Sequence, residues 1–227
     1  MRITARLSIL LGIALLLLAV GMYSKGLASP TLDVRVLEPG KNPTILVQSP
    51  SGERFLVNGG ADASILRELG VALPFWQRTL KEIFLTSPVA GATGGLTDVI
   101  KRYRVETLAR PDAQGSRAQE SLIESASENI SVHILKKGDR VELGGGAYLD
   151  VLWPPEYAER MRAADAPLVL LLSYGASSIL IEPALQPHVE KWLLDANPDL
   201  PVPGLVISSS TPVGTVILGG QHITQNH

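Results

Sequence analysis

Leu85-Thr86-Ser87-Pro88-Val89-Ala90-Gly91-Ala92-Thr93-Gly94-Gly95-Leu96 joins two different periodicities. Residues 83–86, leading into it, are a short apolar run of strand length. Residues 96–103, leading out, have helical spacing, and Lys101, Arg102 and Arg104 cluster where cations complement the end of a helix dipole. Residues 87–95 between them are mostly small and end on Gly94-Gly95, so the chain turns tightly from strand to helix.

The same alternation extends in both directions. Upstream, strands are expected over residues 32–37, 44–48 and 54–57, the last two joined by the turn Ser49-Pro50-Ser51-Gly52. Asn58-Gly59-Gly60 then leads to a helix near 63–69 capped by Asp62. Downstream, strands are expected at 105–108, 130–135, 141–143, 148–153, 168–173, 177–181, 205–208 and 216–218. Helices are expected at 116–126, where Ser116 and Gln119 have capping-box spacing, from Pro154-Pro155 to about 164, and at 183–194. Continuous apolar runs such as 168–172 read as strands buried on both faces. Two sheets with helices on their outer faces satisfy the whole pattern, an α/β (α+β) chain in four layers, αββα.

Composition narrows the chemistry. The 227 residues carry 20 Lys+Arg against 22 Asp+Glu and no cysteine, which excludes a disulfide framework, a thiolate metal site and a cysteine nucleophile. A near-balanced charge gives no strong nucleic-acid signal. Arg2 and Arg6 precede an apolar run over residues 7–22. Residues 7–23 just reach the length of a membrane anchor, while Gly26, Leu27 and Ala28 offer a signal cleavage site near Ala28. Either way the arginines stay inside and the rest of the chain is extracytoplasmic, anchored or secreted. The expected organisation is an anchor or signal with its linker at 1–29, a domain at 30–220 and a polar, frayed tail at 221–227. Without Arg2, Arg6 and Lys25 the domain keeps 17 basic side chains against 22 acidic ones.

The order of signatures resembles the C-terminal domain of the DNA-uptake channel protein ComEC, a metallo-β-lactamase-fold domain that follows a transmembrane helix. The family's Gly-Gln-Gly-Asp-Ala loop corresponds to Gly40-Lys41-Asn42-Pro43-Thr44, its TPSG turn to Ser49-Pro50-Ser51-Gly52, and its Asp-Gly-Gly to Asn58-Gly59-Gly60. Its metal loop, L-T-H-P-H-A-D-H-I-G-G-L, corresponds to residues 85–96. Leu149-Asp150-Val151-Leu152-Trp153-Pro154-Pro155 is similar to its V-L-W-P-P strand end, and residues 168–181 to its S-L-V-L-x-L-x-Y-G hairpin. The resemblance implies an αββα sandwich of metallo-β-lactamase type preceded by one apolar helix.

The scaffold letters match and the chemical letters do not. The resemblance places the loop histidines on Ser87, Val89 and Ala92, the loop aspartate on Gly91, a later carboxylate near Ala184 with Glu182 displaced beside it, and the late His-His-Gly-Ser motif on residues 208–211, including Ser209. The two early aspartates fall on Pro43 and Asn58. Zinc or manganese needs imidazole and carboxylate donors, so these replacements imply no metal, no cofactor and no catalytic residue. The expected protein is a pseudoenzyme with a binding or scaffolding role beside an envelope protein or the DNA-uptake machinery.

Other readings stay open. Asn58, Gly59, Gly60, Gly94 and Gly95 form a candidate ligand loop, or merely an inherited tight corner. Ser209 with His188, or with His133, offers a metal-free hydrolase, although no nucleophile elbow surrounds the serine. A single-stranded DNA-binding module is a third alternative, against which the acidic body weighs. Trp76, Trp153 and Trp192 read as core or surface-packing residues, and His222 and His227 as solvated tail.

Overall fold

In the computed structural model the described residues are 31–219 and 223–226, except 39, 202, 209, 210, 212 and 213. They hold thirteen strands: β1 (Thr31–Glu38), β2 (Thr44–Gln48), β3 (Arg54–Val57), β4 (Thr79–Phe84), β5 (Arg104–Arg110), β6 (Ser131–Ile134), β7 (Arg140–Gly144), β8 (Ala147–Trp153), β9 (Val169–Tyr174), β10 (Ser177–Ile181), β11 (Leu205–Ile207), β12 (Gly214–Gly219) and β13 (Ile223–Asn226). Five helices join them: α1 (Ile65–Ala72), α2 (Ala90–Thr93), α3 (Leu96–Arg102), α4 (Arg117–Ala126) and α5 (Pro187–Ala196). Among the described residues no helix is long and apolar enough to cross a membrane; the anchor expected at 7–23 lies outside them.

The strands form two sheets, ordered β13-β12-β1-β2-β3-β4-β5-β6 and β11-β10-β9-β8-β7. Alternation of side chains across each strand decides the layering. Phe55 and Phe84 point between the sheets, where they meet Leu149, Leu170, Leu172 and Ile179. Their neighbours Leu56 and Ile83 point outward and are covered by Leu69 of α1, Leu96 and Val99 of α3 and Ile123 of α4. On the smaller sheet, Leu152, Leu171 and Leu180 are covered by Val189 and Leu193 of α5. Strand β9 is buried along its whole length, in keeping with the continuous apolar run at its start.

Five local expectations need correction, the first being the strand expected at 83–86, which runs from Thr79 to Phe84. The helix expected after Pro154-Pro155 is a single 3-10 turn at Ala158–Arg160. A ten-residue helix is about 15 Å long, which would carry Asp165 away. Here its carbonyl instead accepts a 2.9 Å bond from the Trp153 indole. Helix α5 begins at Pro187 rather than 183. The residue before a proline avoids helical ψ, and Gln186 is extended at φ −75°, ψ 146°. Upstream, the Asp62 carboxylate accepts from the Ser64 N–H at 2.8 Å, a local turn that delays α1 to Ile65. Finally, residues 223–226 of the expected frayed tail form β13, antiparallel to β12. That pairing occupies backbone groups that β12 would otherwise present as an edge.

Candidate functional site

Strands β3 and β4 run parallel, so the loops after Val57 and Phe84 leave the same end of the large sheet. The loop between β1 and β2 and the segment after β10 come to this end too, because the Ala184 N–H donates to the Lys41 carbonyl at 2.7 Å. Together they enclose a cleft of about 200 Å³ whose lining includes Lys41, Asn42, Ser87, Val89, Ala184 and Gln186. Three of the positions singled out from the sequence, Ser87, Val89 and Ala184, thus share one cavity although they are far apart in the chain. Gly91 faces it indirectly: a Cβ there would lie 3.1 Å from the Asn42 amide nitrogen. Ala92 does not join them, being fully buried beneath the helices of the large sheet. Ser209 lies outside the described residues.

Asn58 does not line the cleft but braces the chain neighbours of two residues that do, Asn42 and Ser87. Asn58 is fully buried and sits at φ 64°, a left-handed conformation that asparagine tolerates better than most side chains. Its amide donates to the Pro43 carbonyl at 2.9 Å, and its carbonyl oxygen accepts from the Thr86 N–H and hydroxyl, both at 2.9 Å. One neutral side chain therefore ties its own loop to Pro43 and Thr86, and its amide donor points at a carbonyl where a carboxylate would be repelled.

The glycines of the candidate ligand loop have a different job. The Gly59 N–H donates to the Ala92 carbonyl at 2.7 Å, that of Gly94 to Ala90 at 2.9 Å and that of Gly95 to Gly60 at 3.1 Å. These amides are committed to the backbone and are not free to hold an anion. A Cβ on Gly94 would lie 1.8 Å from the Ala61 carbonyl oxygen, and one on Gly95 would lie 2.5 Å from that of Gly59. The pair lets two loops lie in backbone contact.

The donor set does not fit a divalent cation. The polar side chains among the lining residues belong to Lys41, Asn42, Ser87 and Gln186, and none is an imidazole or a carboxylate. Neutral oxygens beside a lysine give a dication no charge compensation, whereas zinc sites use imidazole and carboxylate. Among the described residues no group of three or more His, Asp and Glu side chains converges anywhere.

Glu182, the displaced carboxylate, sits at the end of β10. Burial pushes its carboxyl above the ordinary glutamate range, and the neighbouring charge of Glu190 adds to the shift. A pKa raised by folding contributes stability below the unfolded value and loses it as pH rises through the folded one. The midpoint of thermal unfolding should therefore rise for this group as pH falls from neutral into the carboxylate range. Glu182→Gln is expected to be the more stable protein at neutral pH and to flatten that dependence, as calorimetry across pH would show. An unchanged slope would remove Glu182 from the account.

A second polar cluster lies outside the cleft, on the α5 side. The His188 ring nitrogen Nε2 is 2.9 Å from the carboxylate of Asp165, which also holds Arg162 at 2.7 Å. Arg162 foremost, and His188 after it, hold the Asp165 carboxyl below its usual range. His188 is readable from the sequence as a candidate base. Its partner, 23 residues earlier in the chain, has no signal in the sequence. Lys41, Asn42 and Gln186 are equally silent as lining residues. His133 is exposed and lies 3.6 Å from Glu82, distant from the cleft lining.

No protein-family model matches the chain, and no curated protein is significantly similar to it. Solved structures are. A Cronobacter sakazakii metallo-β-lactamase with a HARLDQ motif aligns at TM-score 0.53 and 12% identity, over 77% of this chain and 71% of that one. The Rm3 metallo-β-lactamase aligns at TM-score 0.51 and 17% identity, over 80% and 78%. The Bacillus subtilis protein YhfI, also of metallo-β-lactamase fold, aligns at 0.48 and 12%; the chain spans 61% of its length. At these identities the likeness shows the fold alone: the described domain has the metallo-β-lactamase fold.

Proposed function

We propose that this chain is a membrane-tethered, extracytoplasmic domain of metallo-β-lactamase fold that has exchanged metal-dependent hydrolysis for binding. The observation that carries the reading is the cleft itself. Where the fold's resemblance to metallohydrolases calls for imidazoles and carboxylates, Ser87, Val89 and Ala184 share a lining with Lys41, and the neutral Asn58 braces the neighbouring Pro43 and Thr86. Lining residues that carry hydroxyl, amide and ammonium groups without a carboxylate are a set suited to holding a polar ligand or a partner's loop. Without a dication there is nothing to lower the pKa of a bound water. The partner proposed from the sequence resemblance is an envelope or DNA-uptake component, and the tether is residues 7–23.

His188 favours one other reading. A histidine oriented by a buried carboxylate is half of a nucleophile-activating set, and a metal-free hydrolase would supply the rest from Ser209. Purified protein decides between them by elemental analysis, a phosphodiesterase assay and a serine-reactive probe. We expect substoichiometric zinc and manganese, no phosphodiester hydrolysis and no labelling. Stoichiometric metal with hydrolysis would overturn the binding role, and labelling lost in Ser209→Ala would transfer the function to the serine.

A further inference from the structure

Phe75 and Trp76 stand 78% and 68% exposed on the loop between α1 and β4, and Val71 on the last turn of α1 is 83% exposed. The two rings pack edge to face at 4.9 Å. The pair is thus a preformed apolar knob and not two independent side chains. Cations lie beside it. The Arg78 guanidinium donates to the Phe75 carbonyl at 3.0 Å. Arg78 and Arg102 line a small pocket with Phe75 and Tyr103, and the chain neighbours Lys101 and Arg104 are exposed. The nearby acid Glu68 is paired with Arg67 at 2.9 Å. Large exposed aromatics beside two arginines, on a domain of acidic formal charge, match the interface of an anionic bilayer.

Sheet register says where this knob lies. Asp33 pairs with Gln48, Gln48 with Arg54, and Phe55 with Glu82, so Thr31 and Thr79 are level across four adjacent strands. Three inter-strand spacings are about 14 Å. The knob just before Thr79 therefore projects from the same end of the sheet at which residue 30 joins the domain. The seven residues 24–30 between the apolar run and β1 reach at most about 25 Å. The cleft lies at the opposite end, after β3 and β4.

We propose that Phe75 and Trp76 enter the interfacial zone of an anionic phospholipid bilayer, with Arg78 and Arg102 on the headgroups, so that the domain stands on the membrane with its cleft turned away. This rests on the membrane-tethered reading for its context, but its readout is separate. The full-length chain is reconstituted in phosphatidylglycerol–phosphatidylcholine vesicles with or without bromine on the acyl chains, and tryptophan emission is measured. Carbonate resistance and flotation report the tether; bromine quenching reports the loop. We expect bromine-dependent quenching that is lost in Trp76→Phe, retained in Trp192→Phe, and reduced in an Arg78→Glu/Arg102→Glu variant. Quenching unaffected by Trp76→Phe overturns the proposal. So does a Trp76 open to aqueous iodide in vesicles, or one shielded from both quenchers, which would mean that protein covers it. If the chain fails to integrate, the tether reading fails, and the same emission measurement on chain added to vesicles still decides the loop.

Discussion

Replacing Gly94 by alanine is expected to destabilise the domain by more than about 3 kcal/mol, an effect at the upper end for a single methyl group. The new Cβ would lie 1.8 Å from the Ala61 carbonyl oxygen and 2.6 Å from its carbon. Both are backbone atoms, so no side chain can swing aside. The two backbones are close over several residues, since a Cβ on Gly59 would meet the Leu96 Cα at 2.8 Å and one on Gly95 the Asp62 oxygen at 2.4 Å. Gly70 is the matched control. It lies inside α1, a methyl group there would meet nothing within 4 Å, and its φ is not positive, so Gly70→Ala should stabilise by about 0.5–1 kcal/mol. Urea denaturation followed by circular dichroism measures both. A Gly94→Ala protein within roughly 0.5 kcal/mol of the parent would show that the two loops are not in the contact described.

Asn58→Ala should destabilise by about 3–5 kcal/mol, from three buried backbone or hydroxyl partners left unpaired and the strain of a Cβ-bearing residue without a polar side chain at left-handed φ. The partners are the Pro43 carbonyl, the Thr86 N–H and the Thr86 hydroxyl. Asn58→Asp keeps the shape and still accepts from Thr86, yet it turns the donor aimed at Pro43 into a second acceptor. It too should be less stable, by about 1–3 kcal/mol. The comparison separates two views of the cleft. If the aspartate variant folds with full stability and takes up zinc stoichiometrically, the position is a dormant metal site. If it is destabilised and binds none, the loops beside the cleft have been rebuilt around the amide.

Much of this fold can be read from spacing. Alternating apolar residues locate nearly every strand, and the capping role of Ser116, whose hydroxyl accepts from Gln119, follows from local chemistry. Failures cluster where long-range contacts override local preference. Residues 155–164 have helical composition, but Trp153 draws Asp165 back towards the sheet. Strand β4 begins at Thr79, ahead of the apolar run at 83–86, because its polar first residues pair with β5. Trp76 gives no hint in the sequence that it is exposed. The candidate cleft is reached from the sequence only through the expected resemblance, from which Ser87, Val89 and Ala184 are singled out; the three line one cavity. Asn58 reads as a lost ligand, and nothing in its letter reveals that both ends of its amide are bonded. Asp165 is invisible for the same reason, since a partner 23 residues away leaves no local trace.

Strand β1 is flanked by β2 on one side and β12 on the other, with Val34 paired to Val47 and to Val216. A ribosome delivers those partners at very different moments. The hairpin with β2 forms almost at once, but Val216 is made 182 residues after Val34, roughly 10–40 s later at ordinary elongation rates. For that interval the growing chain carries an open hydrogen-bonding edge beside apolar side chains destined for the space between the sheets. Pairing of β1 with β12 therefore waits until late in synthesis, and the nascent polypeptide is a natural client for a holding chaperone until β12 emerges.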